Sequence, residues 1–95
     1  MFLVLLTYKK SIEDIEKALA GHVAFLDNCY QNKKIIFSGR QNPRTGGVIL
    51  VNANDKEEVV NLMQQDPFKQ NGLADYQIIE FTPTKCADGF KQFLS

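Results

Sequence analysis

In each half of this chain, a short apolar segment, an amphipathic helix pattern and a second short apolar segment follow one another. The first segment, Met1 to Tyr8, reads MFLVLLTY, and its length and β-favouring residues predict a strand. Ser11 is a good N-cap residue, and Asp14 follows at the spacing of an acidic capping box. Apolar residues then recur at helical spacing to about Asn32, which predicts an amphipathic helix with the stripe Ile12, Ile15, Leu19, His22, Leu26 and Cys29, flanked by Val23 and Tyr30.

Turn residues separate the next two strands. Ile35 to Ser38 predicts a short second strand, which Gly39 ends. Residues 40–46, RQNPRTG, predict a loop, because an Asn-Pro step and the pair Gly46-Gly47 are typical breakers. Val48 to Val51 predicts the third strand.

The second half repeats the strand–helix–strand plan with a shorter helix. Asp55 can cap this helix, with Glu58 at capping-box spacing. Asp66-Pro67 ends it, because the residue before a proline is disfavoured in the helical conformation. Asp66 can itself cap a short turn that runs to about Gly72, and Tyr76 to Phe81 predicts the fourth strand. The remainder predicts a short docked helix or tail that holds Phe90, Phe93 and Leu94.

The resulting order is β-α-β-β-α-β in 95 residues, a length that suits one domain and excludes two separate cores. We therefore treat residues 1–95 as a single domain. Two right-handed βαβ units joined by a loop predict an α+β, ferredoxin-like sandwich, in which both helices cover one face of a mainly antiparallel sheet.

Two of the predicted strands are apolar on both of their faces. In the first strand, one face carries Phe2, Val4 and Leu6, and the other carries Leu3 and Leu5. In the third strand, one face carries Val48 and Leu50, and the other carries Ile49 and Val51. Because the helices cover one face only, the other would expose an apolar patch that monomers rarely tolerate. This pattern favours a homodimer formed through the sheet faces. The alternative is that a C-terminal tail carrying Phe90 and Phe93 covers the second face.

Charge and composition exclude several classes of protein. Eleven basic and eleven acidic residues give a formal net charge of +0, which disfavours a nucleic-acid binder. The longest apolar run, Met1 to Leu6, is too short for a membrane span or a secretory signal. Cys29 and Cys86 form no C-x-x-C pair and predict free thiols in a reducing compartment, by default the cytoplasm. A single histidine without ligand spacing predicts no metal site.

His22 and Asp66 are the candidates for acid–base chemistry. His22 directly follows Gly21 in mid-helix, where glycine costs about 1 kcal/mol relative to alanine, so another chain segment or a ligand should approach closely here. His22 is either a satisfied, half-buried histidine or a functional one. Asp66 is either an N-cap or, if the fold brings it beside the first helix, the acceptor of the His22 Nδ1 proton. The second arrangement would make the other ring nitrogen a general base.

The loop after the second strand supplies further candidates. Ser38, Arg40 and Arg44 lie at or near it. The two arginines are either solvated surface charges or an anion clamp, since guanidinium groups bind carboxylates and phosphates bidentately. Tyr8, at the end of the first strand, either packs or lines a pocket.

These residues together resemble the YciI-like (YCII-related) family of the dimeric α/β-barrel superfamily over nearly the whole chain. The likeness rests on the mid-helix His22, on Ser38-Gly39, on Asp66-Pro67-Phe68, and on Gly72-Leu73 followed by Tyr76. It implies a ferredoxin-like fold that dimerises sheet to sheet and a histidine–aspartate dyad in a pocket. One characterised member type is a dehydrochlorinase of a chlorinated hydroxyquinol. Many relatives have a proline after the second-strand glycine and acidic residues in the next loop, whereas this chain has arginines.

The resemblance and the residues together predict a small cytoplasmic enzyme with no metal or organic cofactor. His22 and Asp66 would catalyse elimination, isomerisation or related proton transfer on a small anionic or cyclic substrate, bound by Ser38, Arg40, Arg44 and Tyr8. The alternative is a non-catalytic small-molecule-binding or accessory domain that uses the same pocket, because ferredoxin-like folds host many functions. RNA binding is disfavoured further, because the third strand lacks stacking aromatics.

Overall fold

The computed structural model describes residues 1–93, so Leu94 of the expected C-terminal element lies outside the described residues. The order of strands and helices is the one predicted. The elements are β1 (Phe2–Tyr8), α1 (Ile12–Gln31), β2 (Ile35–Arg40), β3 (Gly46–Val51), α2 (Lys56–Met63), α3 (Pro67–Gln70), β4 (Ala74–Glu80) and a 3₁₀ helix (Asp88–Phe93). None of the helices described here is both long and apolar enough to cross a bilayer.

The four strands form one antiparallel sheet in the order β2-β3-β1-β4. β1 is a central strand, and Leu6 lies between Gly47 of β3 and Tyr76 of β4. This strand order and the helices between the strands confirm the α+β, ferredoxin-like fold. The register also decides which side chains of β1, β3 and β4 face the helices together.

The core lies between the helices and one face of the sheet. Alternate residues of β1 and β3 are buried there, as the two-residue period of a strand requires. They join one cluster with residues from all three helices, including Ile15, Phe25, Cys29, Val59, Met63 and Phe68. The predicted stripe of α1 needs one correction, because Phe25 is buried whereas Ile12 is exposed. Ile12 is the first residue of the helix, where no turn precedes it to cover its side chain.

The predicted bounds of β2 and β3 were too short. Gly39 and Arg40 continue β2, and Gly46 and Gly47 begin β3, with Arg40 paired to Gly47. The glycines do not break these strands. A Cβ atom at Gly46 would collide with the backbone carbonyl of Leu6, so a glycine is required where β3 passes β1.

The helix-free face of the sheet carries the second set of apolar residues. Leu3, Leu5, Val48 and Leu50 are half-buried on this face. The 3₁₀ helix covers one end of it, where the Phe90 ring packs edge-on against Phe37 at 6.3 Å between centroids. The C-terminal segment and the sheet line an apolar groove that includes Leu50 but not Leu3, Leu5 or Val48.

Candidate functional site

Asp66 is a fully buried carboxylate at the junction of α2 and α3. Its Oδ1 atom accepts a hydrogen bond from the backbone N–H of Phe68 at 3.0 Å, so Asp66 is the N-cap of α3. The same oxygen lies 2.8 Å from Nδ1 of His22. The two interpretations of Asp66 from the sequence are therefore not exclusive, because one oxygen makes both contacts.

His22 reaches Asp66 because α1 and α3 pack closely. Gly21 permits this approach, since a Cβ atom there would lie 3.1 Å from Cγ of Pro67. The His22 ring stacks on Phe68, with centroids 3.9 Å apart and an interplanar angle of 4°. Asp66 Oδ1 already acts as an acceptor toward Phe68, so Nδ1 of His22 is the donor in their contact. In the neutral ring, Nε2 is then the nitrogen without a proton, on the side of the ring away from Asp66.

Tyr76 completes the surroundings of Asp66, and no sequence pattern indicated this role. Its hydroxyl donates to Asp66 Oδ2 at 2.5 Å. The contact follows from the sheet, because Tyr76 lies opposite Leu6 on the helix-facing side of β4. The alternation of side chains along β4 could have predicted from the sequence that Tyr76 faces the helices, but it could not have predicted the contact with Asp66. Three donors thus satisfy a carboxylate held away from water, as a buried charge requires.

Burial shifts the pKa of two neighbours of this carboxylate. Burial first, and then the hydrogen bond and charge of Asp66, raise the pKa of Tyr76 far above its usual range. Burial, followed by the charge of Asp66, raises the pKa of the Cys29 thiol. Both groups therefore keep their protons at neutral pH. Cys29 belongs to the core and does not line the cavity described below.

The raised pKa of Tyr76 predicts a loss of stability in alkali. An unfolded tyrosine loses its proton near pH 10, whereas folded Tyr76 keeps it, so unfolding above that pH releases a proton. The contribution to stability is complete below about pH 10 and is lost as the pH rises further. Urea unfolding followed by far-UV circular dichroism should show a steeper fall from about pH 9 to 11 in the wild type than in Tyr76→Phe. Parallel pH curves would contradict this expectation.

A cavity of about 220 Å³ lies beside the His22 ring, between α1 and the sheet. Its apolar wall is made of Leu6, Leu19, Val23, Leu26, Ile49 and Phe68, and its polar lining includes Tyr8, His22, Ser38, Arg40 and Arg44. Five of the six site residues expected from the sequence therefore line one cavity. The sixth, Asp66, lies behind His22. The structure brings these residues together, and their roles in binding or catalysis are predictions.

The two arginines differ in their surroundings. Arg44 donates from Nη1 to Glu16 of α1 at 2.8 Å, and its Nε atom is buried without a hydrogen-bond partner among residues 1–93. Arg40 is exposed, and within the described part of the chain no carboxylate pairs with it. No sequence pattern indicated Glu16 as a partner of Arg44, from which it lies 28 positions away. Of the two arginines, only Arg40 therefore brings to the cavity a positive charge that no carboxylate of residues 1–93 neutralises.

The remaining polar residues are held by neighbours. The hydroxyls of Ser38 and Tyr30 are 2.6 Å apart, which ties β2 to α1 and leaves one of their two protons for another acceptor. The Tyr8 ring packs edge-on against Phe68, with centroids 6.1 Å apart. Among residues 1–93, no three His, Cys, Asp or Glu side chains converge as metal ligands.

Comparison with known proteins agrees with this architecture. The YCII-related domain family matches residues 1–82. The chain belongs to this family. The chain is also similar to the uncharacterized protein YjpA of Bacillus subtilis (strain 168). The two are 29% identical over 66 residues, which cover 70% of this chain and 78% of the relative.

A solved structure has the same fold at lower identity. It is 5-chloro-2-hydroxyhydroquinone dehydrochlorinase (TftG) from Burkholderia phenoliruptrix AC1100, in complex with 2,5-dihydroxybenzoquinone. The TM-score is 0.71 at 20% identity, and the match covers 85% of this chain and 93% of that one. At this identity the likeness establishes the fold of the YCII-related chain.

Proposed function

We propose that this chain is a cofactor-independent enzyme in which His22, oriented by Asp66, transfers a proton to or from a small oxygen-bearing substrate. The observation that carries the proposal is the 2.8 Å contact between His22 Nδ1 and the fully buried Asp66 Oδ1, directly beside a cavity. This contact fixes the ring and its tautomer, so that Nε2 can act as a base. General acid–base catalysis of this kind contributes about 10²–10⁴-fold to a rate.

The cavity limits the substrate by its size and charge. Its volume of about 220 Å³ is below the roughly 300–1,000 Å³ of cavities that hold drug-sized ligands. Arg40 offers an uncompensated guanidinium group, whereas Glu16 neutralises Arg44. A carboxylate, phenolate or similar anion would therefore be attracted mainly by Arg40. The apolar wall favours a small ring as the body of the substrate.

The ligand of the structural neighbour fits this description. TftG is a dehydrochlorinase, and its structure contains the oxygenated ring 2,5-dihydroxybenzoquinone. For an elimination in this chain, Nε2 of His22 would accept a substrate proton. The electron pair of the bond to that proton would form the new double bond. The bond between carbon and the leaving group would break, and the leaving anion would take its electron pair. The Asp66 carboxylate would balance the imidazolium that results.

The dyad can be tested directly with a chlorinated and hydroxylated ring. We expect wild-type protein to release chloride from 5-chloro-2-hydroxyhydroquinone, or to transform another small oxygenated ring in a matched panel. His22→Gln and Asp66→Asn should lower this rate by about 10²–10⁴-fold. Equal rates in wild type and His22→Gln would reject His22 as the proton-transfer group.

A binding measurement separates the enzyme from the accessory-domain alternative. Thermal shifts with small carboxylates, phenolates and neutral analogues should favour the anions, and Arg40→Ala should remove that preference. Three results together would favour the non-catalytic alternative. Ligands would bind, their binding would not depend on the protonation of His22, and no compound of the panel would be transformed.

We further propose that two copies associate through their helix-free sheet faces. The half-buried apolar residues Leu3, Leu5, Val48 and Leu50 support this arrangement, because a monomer would leave them partly in water. The free thiols Cys29 and Cys86 support a reducing compartment, and we place the protein in the cytoplasm.

A further inference from the structure

We propose that Tyr76 is a positioning residue that keeps His22 available as a base, by binding the Asp66 oxygen that faces away from the histidine. This inference deepens the proposed function and rests on it, since it concerns the proton affinity of the same imidazole. Tyr76 becomes the third member of a series of hydrogen-bonded side chains that runs from Tyr76 through Asp66 to His22.

The division of the two carboxylate oxygens is the first observation behind this inference. Oδ1 of Asp66 accepts from the Phe68 backbone at 3.0 Å and from His22 Nδ1 at 2.8 Å. Oδ2 accepts from the Tyr76 hydroxyl at 2.5 Å. Hydrogen bonds from a hydroxyl to a carboxylate fall at about 2.5–2.7 Å when they are charge-assisted and strong. The shortest of the three contacts is therefore the one on the side opposite His22.

The competition between Tyr76 and His22 follows from this geometry. A strong donor on Oδ2 draws carboxylate charge toward itself, so that less charge remains to stabilise an imidazolium at Oδ1. Asp66 is fully buried and the His22 side chain is 12% exposed, so water screens little of this effect. Without the hydroxyl, Asp66 would hold a proton on His22 to higher pH. Tyr76 thus lowers the proton affinity of the base without touching it.

Neighbouring elements hold Tyr76 in this position and supply the other charges. Nζ of Lys69, on α3, lies 5.2 Å from the centroid of the Tyr76 ring. β4 carries Tyr76 beside Leu6 of β1. The other titratable or charged groups around the dyad are Cys29 of α1, on which the charge of Asp66 acts, and the cavity-lining residues Tyr8 of β1, Arg40 of β2 and Arg44 of the loop from β2 to β3. Glu16 of α1 pairs with Arg44. None of these groups makes a hydrogen bond to Asp66 in the described chain.

The single histidine makes the test unambiguous, because only one imidazole resonates in the proton NMR spectrum of this chain. In Tyr76→Phe, the midpoint of the His22 titration should move to higher pH by at least roughly half a pH unit. In Asp66→Asn, it should move to lower pH. Tyr30→Phe is the matched control, because it removes a hydroxyl bonded to Ser38 instead of Asp66, and its midpoint should equal that of the wild type.

The outcomes distinguish the inference from the proposed function on which it rests. An unchanged midpoint in Asp66→Asn would reject the dyad itself. A changed midpoint in Asp66→Asn, with an unchanged or lowered midpoint in Tyr76→Phe, would reject only the role of Tyr76.

A second measurement covers the case in which Tyr76→Phe fails to fold. In a Tyr8→Phe, Tyr30→Phe background, 3-fluorotyrosine incorporation labels Tyr76 alone and makes its hydroxyl a stronger donor. The His22 midpoint should then move to lower pH than in the same background with ordinary tyrosine. A midpoint that stays in place or rises would overturn the inference, since a purely structural tyrosine would not transmit the change in donor strength.

Discussion

Gly46→Ala should destabilise the domain by about 3 kcal/mol or more, enough to unfold many small domains. A Cβ atom at this position would collide with both the oxygen and the carbon of the Leu6 carbonyl. The chain can relieve the collision only by moving β3 away from β1, because the obstacle is backbone. Such a movement breaks the pairing of Thr7 with Gly46 and of Leu6 with Gly47 in the centre of the sheet. It would also displace Leu6 from the cavity wall.

Gly39→Ala is the matched control on the neighbouring strand. A Cβ atom at Gly39 would meet nothing within 4 Å, so this change should alter stability by no more than about 0.5 kcal/mol. The chain has no tryptophan, so urea unfolding is best followed by far-UV circular dichroism. Equal unfolding midpoints for the two variants would show that the strands accommodate a methyl group at Gly46, contrary to the close approach described above.

The same two glycines show what the sequence could and could not predict. Strand and helix order followed from local periodicity, which predicts each element without reference to the others. Gly39 and Gly46 were interpreted as breakers, because a local pattern cannot distinguish a glycine that ends a strand from one that lets two strands approach. That distinction depends on the neighbouring strand. The predicted bounds of β2 and β3 were short for this reason.

For the site, the sequence likewise indicated the candidate residues but not their contacts. His22 and Asp66 are separated by 44 positions, so their pairing could be proposed from the sequence but not located. Gly21 gave the useful signal, because its unfavourable place in a helix indicated the close approach that Pro67 makes. The role of Tyr76 had no comparable signal. Its hydroxyl meets Asp66 only because the sheet register places Tyr76 beside Leu6.

Leu5→Asp should convert the protein from a dimer to a monomer. Sedimentation equilibrium at micromolar concentration should return twice the 10.8 kDa chain mass for the wild type and the single chain mass for the variant. Leu5 lies between Val48 and Gln77 on the helix-free face of the sheet, in the middle of the proposed interface. A carboxylate buried there without a partner would cost several kcal/mol, so the dissociation constant of the dimer should rise by at least about 100-fold.

Val60→Asp is the matched control for this interface. Val60 is 36% exposed on α2, on the opposite side of the sheet, so a carboxylate there should leave the dimer intact. A wild-type monomer would contradict the proposed association, as would a Leu5→Asp variant that remains dimeric.

If the wild type is a monomer, the C-terminal segment is the element that covers the helix-free face of the sheet, since its Phe90 already packs against Phe37. Removing residues 85–95 would then expose the face and cause the chain to associate, whereas a dimer held by Leu5 and Val48 should persist without them.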